Sequence, residues 1–128
     1  MQITRSMDIE DEVRKILEPH LTAYCRPLPA DFEMPNILIT STGGSSEKTA
    51  SGKGKVDTFI VTLDARAELE GEAMEYLRTA IGILETGERI HSEVNSLFSW
   101  GTDPVRPELA MCSATMMMTA HRETITIE

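Results

Sequence analysis

A chain of 128 residues is long enough for one hydrophobic core and too short for two. Its formal charge of -9 argues against a general nucleic-acid or acidic-membrane binder, because phosphate is repelled unless positive charge is gathered locally. No run approaches the roughly 20 apolar residues of a membrane helix, and Met1 to Val13 lacks an apolar core of signal-peptide length, so a cytoplasmic start is expected.

Ser6 is placed to cap a first helix, with Asp8, Glu10, Asp11 and Glu12 in its opening turn, an inner face of Ile9, Val13, Ile16 and Leu17, and Pro19 as its stop. Thr22 to Arg26 reads as a short strand, after which Pro27 and Pro29 take the chain off the sheet until Pro35. Asn36 to Thr42 is apolar on both faces at Ile37, Leu38 and Ile39, the mark of a strand away from the sheet's rim.

Residues 42–55, TGGSSEKTASGKGK, hold no side chain large enough to pack, and predict a flexible loop projecting as a long hairpin between two strands. Lys48, Lys53 and Lys55 lie in it, and Lys15 is the only other lysine. This basic finger on an acidic body is the candidate partner-contact loop; the bland reading is a solvated tip.

The unit from Val56 to Gly87 organises the rest. Phe59, Val61, Leu63 and Ala65 alternate with Thr58, Thr62, Asp64 and Arg66, giving a strand with one buried face, and only Ile60 breaks the pattern. The period then changes to Ala73, Leu77, Ala80, Ile81 and Leu84, one stripe along a helix that begins at Glu68, Glu70 and Glu72 and is expected to end on a left-handed Gly87. Gly82 inside it costs roughly 1 kcal/mol against alanine unless a neighbour packs closely there. Ile90 to Phe98 predicts a strand with poor alternation, and Ser99 to Leu109 a turn-rich connection through Gly101, Asp103, Pro104 and Pro107. Cys112, Ala114, Met116, Met118 and Ala120 then alternate with Ser113, Thr115, Thr119 and His121 in a clear last strand. The methionine face reads as adaptable core. Glu123 to Glu128 keeps the alternation through Ile125 and Ile127, to extend that strand or to pair with a neighbouring subunit.

These elements predict a single α+β domain over residues 1–128: a mostly antiparallel sheet of four to five strands, two helices on one face, and the order α-β-β-(long loop)-β-α-β-β. Phe59, Val61, Leu63, Leu77, Ile81, Leu84, Met116 and Met118 are expected in one core. Cys25 and Cys112 are far apart and form no pair motif, which favours reduced thiols over a disulfide.

Chemistry is sparse. GKGK at Gly52 to Lys55 fails the phosphate-loop signature, lacking a Ser or Thr after the lysine and carrying Glu47 where the earlier glycine belongs. His20, His91 and His121 are singletons without zinc-ligand spacing. Alternation puts Asp57 and Asp64 on opposite strand faces, so they do not share a cation with Lys55 nearby. With no nucleophile, acid-base pair or ligand cluster, no catalytic, cofactor-binding or metal residues are assigned, and a structural role is the default.

Several local phrases carry a resemblance. The run Pro35-Asn36-Ile37-Leu38-Ile39-Thr40-Ser41-Thr42-Gly43-Gly44, a proline and a hydrophobic strand running into a Thr-Gly-Gly turn, the strand and helix at Asp57 to Ala67 and Glu72 to Leu84, and the stretch Asp103-Pro104-Val105-Arg106-Pro107-Glu108 before the last strand follow one another after an opening helix. In this the chain resembles the tail-terminator and head-to-tail joining proteins of long-tailed bacteriophages, over nearly its whole length. The resemblance implies a structural phage or prophage protein of the virion, a ring, typically a homohexamer, that caps the tail tube, ends its elongation and meets the head connector. DNA would pass through such a ring without specific binding, with no membrane and no cofactor involved. The competing classes are a small cytosolic nucleic-acid-binding domain and an enzyme-accessory domain; against the former, Tyr24, Phe59, Tyr76, Phe98 and Trp100 do not gather on one strand as a stacking platform.

Overall fold

The computed structural model describes residues 1–48 and 55–128. The elements in chain order are β1 (Gln2–Arg5), α1 (Ile9–Leu17), β2 (Ala23–Cys25), β3 (Asn36–Lys48), β4 (Lys55–Ala67), α2 (Glu70–Glu85), β5 (His91–Thr102), β6 (Ala110–His121) and β7 (Glu123–Thr126). Five strands form one sheet in the order β2-β3-β4-β6-β5, parallel only between β2 and β3, and β1 and β7 form a separate antiparallel pair. This is the α+β domain expected, with both helices on one sheet face: α2 lies on β4 and β6, and α1 packs against α2 and β3.

β4 is the centre because its alternation serves that face. Val61, Leu63, Ala65 and Ala67 are fully buried beneath the helices, beside Cys112, Ala114, Met116 and Met118 of β6 and Ile37 and Ile39 of β3. Ala73, Leu77, Ala80, Ile81 and Leu84 are the buried stripe of α2, as the spacing of three and four requires. Of the expected core, Phe59 alone is only half-buried. Its neighbour on the β3 side is Gly44, which has no side chain to cover the ring.

Four local expectations are corrected, and the alternative left open at Gly82 is decided. The cap of α1 is Asp8 rather than Ser6: its carboxylate accepts from the Asp11 amide at 3.3 Å, while Met7 between them is buried. Gly87 is not left-handed; α2 ends as the Thr86 and Gly87 amides donate to the carbonyls of Ile83 and Leu84. No neighbour packs on Gly82, which faces open space. The tail pairs within the chain, Ile3 against Ile125, a strand pair tied off by the Ile127 amide donating to the Met1 carbonyl at 2.7 Å. Finally, residues 42–48 are not loop. They continue β3 in register with β4 from Gly43 opposite Ile60 to Lys48 opposite Lys55.

Two glycines make that extension possible. The register shifts between Ser41 and Gly43, and Gly43 sits at φ 148°, a conformation that side chains rarely adopt. A Cβ on Gly44 would stand 2.1 Å from the Thr58 carbonyl oxygen. The Thr-Gly-Gly phrase is therefore a bulge within a strand, and not a turn.

Candidate functional site

The sheet has one face under helices, one face open, and two long edges without a partner strand among the described residues. β5 pairs only with β6. β3 is covered on its outer side only where Ala23–Cys25 pair with Ile37–Ile39, so residues 42–48 pair with β4 alone. Just before that free stretch, the Glu10 carboxylate accepts from the Ser41 amide at 3.0 Å and from Arg26 at 2.8 Å. Burial raises the pKa of Glu10, but these bonds outweigh it and hold it below the usual carboxylate range.

The free edge of β5 is apolar. Leu97, Phe98 and Trp100 are 59%, 37% and 47% exposed. The ladder to β6 shifts between Val94 and Ser96 and again between Ser96 and Ser99, which is the physical cause of the poor alternation in the sequence. Trp100 also lines a concavity of about 410 Å³ with Leu69, Leu109 and Met111, rimmed by Glu68, Glu70 and Glu108.

The open face mixes hydroxyls and apolar side chains: Thr40, Thr58, Thr62, Ser113, Thr115 and Thr119 share it with Leu38, Val56, Ile60, Met111, Met117 and Asp64, and Asp64 accepts from the Ser113 hydroxyl. Asp57 lies on the helix side, as the alternation predicts. Arg122 donates from Nε to both its oxygens at 3.3 Å and from the guanidinium to Ser46 at 3.2 Å, beside a concavity of about 360 Å³ lined by Ser6, Gly43, Gly44 and Phe59. Burial pushes the Asp57 carboxyl up, and hydrogen bonds from Ser6, Ser46 and Arg122 bring it below its ordinary value.

At the opposite end of β4 an ion pair is buried. Arg66, 5% exposed, donates from Nε to Asp103, 3% exposed, whose other oxygen accepts the amides of Val105 and Arg106 at 2.9 Å each. This fastens the 103–109 connection to the sheet. Burial raises the Asp103 pKa, while the Arg106 amide, the Arg66 guanidinium and the Val105 amide lower it further than burial raises it. Arg66 Nη1 and Asn36 Oδ1, a donor and an acceptor on residues opposed across β3 and β4, have no partner among the described residues.

The sequence-predicted residues fall as follows. Lys48 ends β3 and Lys55, exposed, begins β4, opposite each other at the end of the hairpin; Lys53 lies outside the described residues. His91 and His121 come together at one shallow concavity with Arg89, while His20 stands apart on the α1–β2 connection. Cys25 and Cys112 are free, and burial pushes both thiols up. Among the described residues no group of three or more His, Cys, Asp or Glu is placed to hold a metal ion. The pair Arg66–Asp103 and the apolar edge of β5 were missed. An arginine between Ala65 and Ala67 in an otherwise small-residue strand end was the available signal for the first, and Leu97-Phe98 followed by Trp100 for the second. No described helix is long and apolar enough to cross a membrane. No protein-family model matches the chain, and no curated protein matches it in sequence.

Proposed function

We propose that the protein is a ring-forming structural protein of a long-tailed phage or prophage, six copies capping the last ring of the tail tube, ending elongation and joining the tail to the head connector. The observation that carries this reading is the order of elements on one sheet. An opening helix, a proline-led strand carrying Thr-Gly-Gly, the β4–α2 unit and β6 behind a proline-bearing stretch come in the order of the phrases that carry the resemblance, with a bulge where its pattern has a turn and with β1 and β7 added at the two ends. Two free edges suit a subunit that joins like neighbours on both sides. The net charge of -9 and the hydroxyls on the open face suit a channel through which DNA passes without being gripped. Lys48 and Lys55, opposite each other at the ends of β3 and β4, with Lys53 between them in sequence, are the residues that meet an acidic partner, tube or connector.

Native mass spectrometry of the chain, alone and with its tube protein, should give a species of six copies, and tails assembled without it should be overlong and headless. A strict monomer under both conditions overturns the proposal. A mobility shift of DNA at physiological salt would instead favour a nucleic-acid-binding domain.

A further inference from the structure

We infer that the concavity of about 410 Å³ at the end of β5 is a docking site for a partner protein, and that its occupant is an arginine side chain laid on the Trp100 indole with its guanidinium among the carboxylates of Glu68, Glu70 and Glu108. The inference goes beyond the ring reading and does not depend on it.

The floor is apolar for no reason internal to the fold. Trp100 stands opposite Cys112 in the β5–β6 ladder and so belongs to the helix-covered face, yet it remains 47% exposed. Leu69 holds the N-cap position of α2 without a side-chain hydrogen bond and is 69% exposed. A serine or aspartate there would satisfy an open amide, which leucine cannot do. Leu69 therefore serves neither the cap nor the core, and it lines the same hollow as Trp100.

The rim decides the charge of the occupant. Three glutamates line the hollow, and no lysine or arginine does. Glu108 is paired with Arg106 at 2.9 Å, whereas Glu68 and Glu70 form no ion pair among the described residues. The open amides at the start of α2 favour negative charge at Glu68 and Glu70, but give no reason for an exposed indole and leucine beside them. An acidic peptide is repelled by this rim, and a plain hydrocarbon would strip water from the carboxylates without pairing them. Arginine meets both demands. Its methylene stem covers apolar surface, its flat and weakly hydrated guanidinium stacks on the indole, and its N–H groups stay in the ring-parallel plane to donate to carboxylates. A lysine ammonium, compact and strongly hydrated, would use the rim and leave the indole face uncovered.

Trp100 is the chain's single tryptophan, so its emission reports the hollow directly. The test titrates the full chain with acetyl-Gly-Arg-Gly-amide and with the same peptide carrying citrulline, which has nearly the same shape and no charge. Both titrations are repeated on the double variant Glu68→Gln/Glu70→Gln and on Leu69→Ser. We expect a saturable change with the arginine peptide, binding of the citrulline peptide at least about tenfold weaker, and about a tenfold loss in the double variant for arginine alone. Leu69→Ser should raise the melting temperature by supplying a cap and still weaken the arginine peptide, a combination that a purely structural leucine does not give. A response that rises linearly without saturating, equal binding of the two peptides, or an affinity unchanged in the double variant overturns the docking site. Each of these leaves the ring, read by native mass spectrometry, untouched.

Discussion

β4 and β5 lie two places apart in the same sheet, with 13 and 12 residues, and answer to different demands. β4 is paired on both sides, and its inward residues Val61, Leu63, Ala65 and Ala67 are fully enclosed by helices. Each residue on that face is explained by the fold of a single chain. β5 is paired on one side, slips register twice, and holds its three largest side chains in solvent. Burying Leu97, Phe98 and Trp100 would each be worth about 1.5 to 3 kcal/mol, and the monomer leaves much of that unused. Their apolar character has no account in the fold of a single chain.

The sharpest way to break this contrast is at the buried end of β4. Asp103→Asn leaves Arg66 charged, buried and without its counter-ion, and should destabilise the fold by about 3 to 5 kcal/mol at neutral pH. The pH dependence carries a definite sign. The folded-state pKa of Asp103 is depressed, so its contribution is complete above the unfolded carboxyl's value of about 3.9 and is lost as pH falls through the lower folded value. Urea unfolding of both proteins should therefore show a gap that is wide at pH 7 and narrows below about pH 4. A gap independent of pH would mean that the charge of Asp103 does not hold the 103–109 connection.

Side-chain truncation draws the same contrast with neutral residues. Leu77→Ala removes a fully buried side chain of α2 over the β4–β6 seam and should cost about 2 to 5 kcal/mol. Leu97→Ala, on the outer edge and 59% exposed, should stay within about 0.5 kcal/mol for the isolated subunit. Equal losses in the two melts would show that β5 belongs to the core after all.

How much of this could be read from residues follows from where side chains act. The β4–α2 unit and β6 were legible because one face of each is buried and the period of burial is written in their apolar residues. The distal half of β3 was not. Glycine and serine have no apolar side chain to alternate, so a strand held by backbone bonds to β4 has the composition of a loop. β1 and β7 escaped for a related reason: they are four residues each, mostly exposed, and meet across almost the whole chain. The Arg66–Asp103 pair joins residues 37 apart through the fold of β5 and β6, a proximity no local pattern encodes. The edge of β5 was visible as residues and not as a surface, because only the strand order shows that no described strand lies beyond it.

The finest test compares one substitution at two glycines. Gly82 lies on the exposed side of α2, and a Cβ there meets nothing within 4 Å. Gly82→Ala removes backbone freedom from the unfolded chain and should stabilise by about 0.5 to 1 kcal/mol. Gly44→Ala gains the same entropy and meets a wall, for the new Cβ falls 2.1 Å from the Thr58 carbonyl oxygen, which belongs to backbone and cannot swing aside. β3 must then part from β4 on the hairpin side of the bulge, at a net cost of about 1 to 3 kcal/mol. The denaturant midpoints of the two variants should accordingly move in opposite directions. Because the close approach exists only if residues 42–48 are a strand, a Gly44→Ala protein as stable as the wild type would return that stretch to the loop its composition suggests.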